Sequence, residues 1–379
     1  MNRPQVYVIG AGPAGCAAAI ALADCGAGAL DVTLVCGDDR REERIGETLP
    51  PAAAAILRQQ GLGGLLTDPP HLQCPGSLSQ WGSETAGYND FFLTPIGAGY
   101  HLDRARFDAD LLSAAADRRV RVLEKTRLVA IESLGSQLSL VLLADRNRHT
   151  QRADYVVDAS GIQARAARGL GVARNEYDCV LSVGAFFPLR LAPRQPAHTL
   201  VCAAADGWWY ATQLPGDRAL VSLCTDAQIV RSQGLDQPDC WHRKLHDASW
   251  LLQRMEAQLG APLERPPQLW QRAAPSAILS RVHGPRWVAV GDAAASYDSL
   301  TSAGISKALA QGLEAGSAVG QRLSGGGDQL LDDYQDRVFA EFSAYLRLHQ
   351  QLYRSEPRFS QQPFWQRRLR GGRVSSAAA

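Results

Sequence analysis

Three glycines at a fixed spacing, Gly10, Gly12 and Gly15, directly follow the apolar residues 6–9 near the start of the chain. An alanine-rich stretch over 16–23 comes next, so the pattern predicts a strand, a tight turn and a helix. In such a unit the first glycine permits the turn, the second admits a pyrophosphate close to the backbone, and the third lets helix and strand pack closely. These residues therefore predict a dinucleotide-binding turn; the alternative is an ordinary glycine-rich connection between a strand and a helix.

The two ends of this unit supply further candidate contacts. Pro13 and Ala14 begin the predicted helix, whose free N–H groups and positive dipole end favour a phosphate. The next predicted strand, 31–36, ends at Cys36, where a dinucleotide-binding fold commonly carries an acidic residue for the ribose hydroxyls. Asp38 follows shortly after, so either Asp38 or the backbone is left to bind the ribose.

A second strand end of the same kind lies far downstream. The predicted strand 286–290 leads through one glycine into Asp292, and a helix is predicted over 303–323. Gly304 and Ile305 lie in the first turn of that helix, where backbone N–H groups favour an anion. The chain thus contains a second predicted strand that leads through a glycine turn towards a helix.

A loop stiffened by two prolines carries a candidate catalytic carboxylate, Glu47. Residues 44–51 read Arg-Ile-Gly-Glu-Thr-Leu-Pro-Pro, and the prolines restrict the backbone. Beside a redox cofactor and a substrate, this carboxylate would act as a general base or orient a substrate N–H. The alternative is a carboxylate that favours the dipole of the helix predicted over 52–60.

Length and composition indicate a folded protein with a large core, since 46% of the 379 residues are hydrophobic and 20% are charged. The net charge of +1 gives no general argument for binding nucleic acid. No apolar run reaches the roughly 18 residues that a membrane span needs. Eight scattered cysteines and a strand close to the first residue favour a reducing, cytoplasmic location without a secretory leader.

The remaining pattern predicts an α/β protein. Helices are predicted over 102–116, 239–259 and 328–353, and strands over 120–131, 137–144, 153–157, 180–189, 199–203, 208–214 and 219–224. Consecutive strands without intervening helices imply an antiparallel sheet, whereas residues 68–98 are expected to be irregular. We therefore predict a Rossmann-like dinucleotide-binding domain interleaved with an antiparallel-sheet substrate domain, followed by C-terminal helices. The predicted boundaries are 1–75, 96–175 and 270–325 for the first domain, 76–95 and 176–269 for the substrate domain, and 326–379 for a C-terminal helix and a basic tail.

Four motifs in this order resemble the FAD-dependent monooxygenases of the p-hydroxybenzoate-hydroxylase-like fold, over nearly the whole chain. The motifs are GAGPAG from Gly10, LDRARFD around Arg104, DASG ending at Gly161 and VGDAA around Asp292. The resemblance implies FAD on the glycine loop, with Arg104 near the flavin or its phosphates and Asp292 at the ribityl or pyrophosphate region. It also implies that the loop 298–305 lies at the pyrimidine end of the flavin, where reduced flavin carries negative charge that a helix N-terminus stabilises.

Within that fold the motifs DASG, GETLPP and GWWYATQLP are similar to a narrower branch. This branch contains tryptophan halogenases, geranylgeranyl reductases and the flavoprotein maturases of tryptophylquinone-containing oxidases and dehydrogenases. Halogenases carry a lysine in the segment after the Gly-Glu loop and a WxWxIP signature. This chain has no lysine before Lys125 and reads WWYATQLP from Trp208, which disfavours halogenation and leaves the maturases.

The resemblance therefore implies an FAD-dependent monooxygenase that uses O2 to hydroxylate a tryptophan side chain of a partner protein. The partner would be the precursor of a quinoprotein oxidase or dehydrogenase. A small-molecule aromatic hydroxylase and an FAD-bound accessory protein without turnover are the alternatives. No second nucleotide-binding βαβ pattern is evident, so electrons would come from transiently bound NAD(P)H or a separate reductase. Neither nucleic acid nor a membrane is expected as a partner.

The segment beginning at Trp208 is the candidate for a substrate pocket. On an alternating strand Trp208 and Tyr210 share one face, and Trp209 lies on the other. We expect Trp208 to form part of the wall of an aromatic substrate pocket. The alternative is that these rings fill the core between sheet and helices.

Two further groups of side chains have less specific patterns. His242 and His246 have the i, i+4 spacing of metal ligands, but without a third ligand a structural role is favoured, and no metal site is predicted. A basic cluster close to the end of the chain is expected to be a solvated, frayed tail or to bind an acidic surface of a partner. Its members are Arg367, Arg368, Arg370 and Arg373.

Overall fold

The fold is given by a computed structural model that describes residues 3–26, 28–37, 45–66, 71–91, 96–189 and 196–370. The strands are β1 (Gln5–Ile9), β2 (Asp31–Val35), β3 (Thr48–Leu49), β4 (Leu72–Cys74), β5 (Gly76–Gln80), β6 (Gly87–Asp90), β7 (Gly99–His101), β8 (Arg121–Leu123), β9 (Thr126–Leu134), β10 (Gln137–Ala144), β11 (Asn147–Ala153), β12 (Tyr155–Asp158), β13 (Arg174–Pro188), β14 (Thr199–Ala204), β15 (Gly207–Leu214), β16 (Arg218–Thr225), β17 (Trp270–Leu279), β18 (His283–Gly284), β19 (Trp287–Ala289) and β20 (Ala295–Ser296). The helices are α1 (Pro13–Gly26), α2 (Pro51–Gln59), α3 (Arg104–Asp117), α4 (Arg165–Gly169), α5 (Ala227–Gln233), α6 (Pro238–Asp247), α7 (Ser249–Leu259), α8 (Gly304–Leu323), α9 (Gln329–Arg354) and α10 (Pro363–Leu369).

A six-stranded sheet carries the first glycine motif. Its strand order is β18-β19-β12-β1-β2-β8, and its strands pair in parallel except at the β18–β19 edge. α1 follows β1 directly, and α8 packs against α1. A Cβ on Gly312 of α8 would lie 2.3 Å from the carbonyl oxygen of Ala14, so the glycine is needed for the close approach of the two helices. This contact fixes the start of α8 relative to the first glycine motif.

An eight-stranded sheet forms the second large layer, in the order β20-β17-β13-β16-β15-β14-β5-β6. Its pairs are antiparallel except β14 with β5, which confirms the predicted α/β class with an antiparallel sheet. α6 lies on one face, where Trp209 packs edge-on against Trp241 at 5.2 Å between ring centroids. β17 belongs to this sheet, although residues 270–325 are predicted to belong to the first domain. The other domain boundaries stay predictions.

Two predicted elements are each divided in the structure. The predicted strand 120–131 is broken at Lys125, whose φ is +49°, so that β8 joins the six-stranded sheet and β9 pairs with β10. The predicted helix 239–259 is interrupted at Ala248, with a ψ of 55°, between α6 and α7. Apolar residues lie on both sides of each break, so periodicity does not reveal either one.

Other strands have no clear sequence signal. The segment 68–98, expected to be irregular, contains β4, β5 and β6 in its described part. β11 is exposed except at Ala153, so it lacks the apolar alternation that marks a half-buried strand. None of the described helices is long and apolar enough to cross a membrane.

Candidate active site

The glycine turn at residues 10–15 is tightly packed at Gly10 and Gly15 and has free space beside Gly12. Gly10 has a φ of +112°, and a Cβ there would lie 2.3 Å from the carbonyl oxygen of Ala159. A Cβ on Gly15 would lie 1.8 Å from the carbonyl oxygen of Gly10. By contrast, a Cβ on Gly12 would have no heavy atom of the described residues within 4 Å. α1 begins at Pro13, so the open side of Gly12 lies next to a helix N-terminus, as a pyrophosphate site requires.

The position expected to bind a ribose contains a buried thiol. Cys36 is 4% exposed, and its backbone N–H donates to the carbonyl oxygen of Leu123 at 2.9 Å. Asp38, the predicted substitute, lies outside the described residues. The ribose contact therefore stays a prediction.

The two glycine motifs meet in space. Gly291 begins a short 3-10 turn after β19, and a Cβ on it would lie 2.8 Å from the Cβ of Ala14. The backbone N–H of Gly291 donates to Gln311 Oε1 on α8 at 3.0 Å. The turn is therefore held between the start of α1 and the side of α8, which brings Asp292 close to the first motif.

Asp292 presents a partly exposed carboxylate from this turn, with 46% of its side chain exposed. Its Oδ1 accepts a hydrogen bond from Lys307 Nζ at 2.8 Å. Arg174 donates to its backbone carbonyl oxygen at 3.3 Å. Sequence reasoning missed Lys307; its available signal is the rarity of lysine in an arginine-rich chain.

The start of α8 offers N–H groups that no side chain caps. α8 begins at Gly304, and its N-cap residue, Ala303, makes no side-chain hydrogen bond. Ile305 is buried at 7% exposure, whereas a Cβ on Gly304 would meet no heavy atom of the described residues within 4 Å. Just before this helix, Asp298 accepts from the backbone N–H of Leu300 at 3.0 Å and so fixes the loop.

Arg104 binds the backbone of the loop that contains Gly46 and Glu47, which we call the Gly-Glu loop. Its Nη1 donates to the carbonyl oxygens of Ile45 at 2.8 Å and Gly46 at 2.9 Å. Its Nη2 forms an ion pair with Asp108 at 3.2 Å, while its buried Nε has no hydrogen-bond partner among the described residues. A cofactor contact by Arg104 stays a prediction, and the observed contacts make it a residue that positions the loop.

Glu47 follows Gly46 in this loop, and its carboxyl group is buried. Its exposure is 3%, and burial raises the pKa of its carboxyl to about 7, against the opposing effects of backbone hydrogen bonds and the Arg104 charge. Its Oε1 has no hydrogen-bond partner among the described residues. Near neutral pH the carboxyl is therefore divided between acid and base forms, which suits a group that accepts a proton or an N–H.

A hydrogen-bonded cluster joins the loop to β15. The hydroxyl oxygens of Thr48 and Tyr210 lie 2.9 Å apart, and His101 Nδ1 lies 3.4 Å from that threonine oxygen. Burial lowers the pKa of His101 to about 4, so its imidazole is neutral, with Nε2 3.0 Å from the carbonyl oxygen of Ala197. This cluster seats the loop against the sheet.

Trp208 lies in the interior rather than on an open wall. Its side chain is 1% exposed, and its indole N–H donates to Tyr353 Oη of α9 at 3.0 Å. The predicted alternation holds, because Trp208 faces α9, Tyr210 faces the Gly-Glu loop and Trp209 faces α6. The geometry of Trp208 is that of a core residue, and its catalytic role stays a prediction.

The expected basic tail is partly structural. Arg367 and Arg368 lie in α10, and Arg367 pairs with Asp226 at 2.5 Å. Arg368 is 1% exposed and pairs with Asp178 at 2.9 Å and with Asp226 at 3.0 Å. The prediction of a frayed segment is wrong for these two arginines, because the carboxylates of Asp178 and Asp226 hold them against the eight-stranded sheet; Arg373 lies outside the described residues.

We expect the Arg368→Met variant to be destabilised by about 3 kcal/mol, because removing one partner of a buried ion pair leaves the other charges uncompensated. The measurement is urea unfolding followed by circular dichroism. Arg370→Met is the matched control, because Arg370 is exposed. Equal stability of the two variants would contradict a structural role for Arg368.

The described residues provide little support for a metal site. The atoms of Asp178, Asp298 and His349 lie within 4.8 Å of one another. Arg368 pairs with Asp178, however, and His349 Nε2 lies 3.3 Å from Asp298 Oδ2, so protein groups already occupy this cluster. His242 Nε2 lies 3.1 Å from the carbonyl oxygen of Leu263, which agrees with a structural histidine.

The open side of Gly12, the uncapped start of α8 and the half-exposed Asp292 fit a flavin dinucleotide that lies along both motifs. Residues 3–344 match the family described as FAD binding domain, and the chain belongs to this family. It is an FAD-dependent oxidoreductase of the monooxygenase family, as the sequence motifs predict.

The chain is similar to three proteins of known type. LodB of Marinomonas mediterranea, named as an FAD-dependent oxidoreductase, is 30% identical over 381 residues and matches 97% of each chain. The flavin-dependent halogenase CmlS has a TM-score of 0.79 at 25% identity, covering 97% of this chain and 68% of that one. QhpG, a peptidyl tryptophan dihydroxylase essential for tryptophylquinone cofactor biogenesis, has a TM-score of 0.76 at 24% identity, covering 100% of this chain and 80% of that one. The likeness to QhpG is one of fold.

Proposed function

We propose that this protein hydroxylates a tryptophan side chain of a partner protein during tryptophylquinone biogenesis. The reaction consumes one O2, two electrons and two protons. One oxygen atom enters an aromatic C–H bond of the indole, and the other leaves as water. NAD(P)H or a separate reductase supplies the electrons.

Bound FAD supplies the redox chemistry and the activation of O2. The protein's part is to hold the cofactor, to position the indole and to exclude water. The cofactor-binding residues in this proposal are Gly10, Gly12, Pro13, Ala14, Gly15, Arg104, Asp292, Gly304 and Ile305.

The observation that carries the proposal is the buried carboxyl of Glu47, whose pKa is about 7 and whose Oε1 has no partner among the described residues. A substrate indole N–H would satisfy that oxygen. By accepting this hydrogen bond or proton, Glu47 would raise the electron density of the ring when oxygen is transferred. Arg104 keeps the loop in place through the carbonyl oxygens of Ile45 and Gly46.

The distribution of lysines supports hydroxylation over halogenation. The first lysine in the chain is Lys125, which is exposed. Lys244 pairs with Asp206 at 2.6 Å, and the Lys307 ammonium is bound to Asp292 and the carbonyl oxygen of Ala295. Among the described residues no lysine remains near the Gly-Glu loop to take the part that it has in halogenases.

A protein-borne indole is supported by the shared fold with QhpG. A polypeptide substrate brings binding energy from residues remote from the indole, and that energy can position the ring. A free amino acid or phenol lacks this contribution.

The test is co-expression with candidate quinoprotein precursors, followed by intact mass measurement of the precursor. The expected result is a gain in units of one oxygen atom, which is lost in a Glu47→Gln strain. In a parallel arm, reduced enzyme, O2, bromide and free tryptophan should give no brominated product.

The other outcomes separate the alternatives. Rapid hydroxylation of free tryptophan or a phenol, with an unchanged precursor, would replace the proposal by a small-molecule hydroxylase. Precursor binding without any oxygen uptake would indicate an accessory protein without turnover. Bromination of tryptophan would overturn the argument from the lysines.

A further inference from the structure

Lys307 is a buried lysine in a chain that makes little use of lysine. The chain has 39 lysines and arginines together, and lysine occurs only at positions 125, 244 and 307. The side chain of Lys307 is 4% exposed, against 21% for Lys244. Of the three lysines, Lys307 alone is buried, and as the fourth residue of α8 it lies next to the second glycine motif.

Three contacts hold this ammonium. Lys307 Nζ donates to Asp292 Oδ1 at 2.8 Å and to the carbonyl oxygen of Ala295. It also lies 4.1 Å from the ring centroid of Tyr297, in cation–π geometry. Burying an ammonium group is unfavourable unless such partners compensate it. The partners come from one short segment, 292–297, so the lysine fixes this segment to α8.

One carboxylate oxygen of Asp292 is therefore bound by Lys307, and the other is available to a ligand. Oδ1 is engaged by Lys307, while Oδ2 accepts no hydrogen bond from the described residues, and 46% of the side chain is exposed. A half-exposed carboxylate on a turn would otherwise sample several rotamers. Gln311 and Arg174 fix the backbone of the turn, and Lys307 fixes the side chain.

We propose that Lys307 is a positioning residue that holds Asp292 so that its Oδ2 accepts a hydroxyl of the FAD ribityl chain. The charge of Lys307 also makes negative charge on the reduced flavin less costly. This inference rests on the FAD contact assigned to Asp292 in the proposed function. It adds a residue, and an effect on potential, that the glycine motifs do not contain.

The test is a double-mutant cycle read out by FAD binding rather than by turnover. Apoprotein of the wild type, Lys307→Met, Asp292→Asn and the double variant is titrated with FAD, and flavin fluorescence gives the dissociation constant. We expect Lys307→Met to weaken binding about tenfold, in the range seen when an outer partner of a ligating side chain is removed. The double variant should bind no more weakly than Asp292→Asn, because Lys307 acts through Asp292.

The second measurement is the midpoint potential of bound FAD. Lys307→Met should make it more negative, by about 30 mV for each tenfold preferential loss of affinity for the reduced form, since flavin reduction takes two electrons. Lys244→Met is the matched control, because Lys244 also pairs with an aspartate but lies on α6. It should change neither the potential nor the dissociation constant.

The outcomes are distinct. Additive losses from the two substitutions, or a Lys307→Met variant with wild-type affinity and potential beside a weakened Asp292→Asn variant, would overturn the role of Lys307. Wild-type affinity in Asp292→Asn itself would instead overturn the cofactor contact in the proposed function. If the methionine apoprotein does not melt cooperatively, Lys307→Gln, which keeps a donor without the charge, replaces it in the same cycle.

Discussion

The Gly12→Val variant is expected to fold and to be purified without FAD. A Cβ at this position meets no heavy atom of the described residues within 4 Å, so the apoprotein has room for the side chain. The same open side is where a pyrophosphate would approach the backbone, and valine would block it. The measurements are the flavin absorbance of the purified protein and its thermal unfolding.

This test of FAD binding requires substitution at Gly12 and not at the neighbouring glycines. A Cβ on Gly15 would lie 1.8 Å from the carbonyl oxygen of Gly10, so substitution at Gly15 would disrupt the fold itself. Gly327→Val is the matched control, because Gly327 also has no described heavy atom within 4 Å of a Cβ and lies between α8 and α9. Full FAD occupancy in Gly12→Val would contradict the cofactor assignment.

The Glu47→Gln variant is expected to lose between a hundredfold and ten-thousandfold in the rate of oxygen transfer, the usual range for a general acid or base (~10²–10⁴). Glutamine keeps the size of the side chain but cannot accept a proton. FAD content should be unchanged, since Glu47 is not among the proposed cofactor contacts. An unchanged rate of oxygen transfer to the precursor protein would show that Glu47 has a structural role, as Arg104 has.

The same variant should also change the pH dependence of stability. The pKa of Glu47 is about 7 in the folded protein, above its ordinary value of 4.5, so the folded state binds this proton more tightly than the unfolded state. The resulting stabilisation is complete below pH 4.5 and is lost as the pH rises through 7, and it amounts to about 3 kcal/mol. Glu47→Gln does not titrate, so its free energy of unfolding should rise relative to wild type over this interval.

The measurement is urea unfolding at several pH values from pH 4 to 8. Glu132→Gln is the control, because Glu132 is exposed on β9 and should follow the wild type at each pH. A constant difference between Glu47→Gln and wild type over the whole range would mean that folding does not raise the pKa of Glu47.

The two glycine motifs proposed to bind FAD are largely predictable from the sequence, because their requirements are local. Gly10, Gly12 and Gly15 act through the turn that they form themselves, and β1 and α1 occur where the apolar pattern places them. The second motif is also local, since Asp292 lies in the turn after β19. The sequence pattern does not predict the contact between the two motifs. That contact depends on glycines of α8 that pack against α1.

The environment of the two proposed catalytic residues is decided by tertiary structure. The sequence indicates a carboxylate at position 47, but its pKa depends on burial by residues distant in the chain and on the charge of Arg104. Similarly, the alternation of the β15 strand is predictable, whereas the burial of Trp208 depends on Tyr353 of α9.

The sequence by itself therefore determined the fold class and the glycine turns, because backbone conformation and period follow from neighbouring residues, and its motifs indicated the cofactor through their resemblance to a known family. The tertiary structure alone decided which charged groups are buried together. Arg368 looks like part of a solvated tail in the sequence but pairs with Asp178 and Asp226 in the interior. Lys307 has no motif of its own, and its role depends on its distance from Asp292. Burial and charge pairing are properties of residues that meet only when the chain has folded, so no local pattern specifies them.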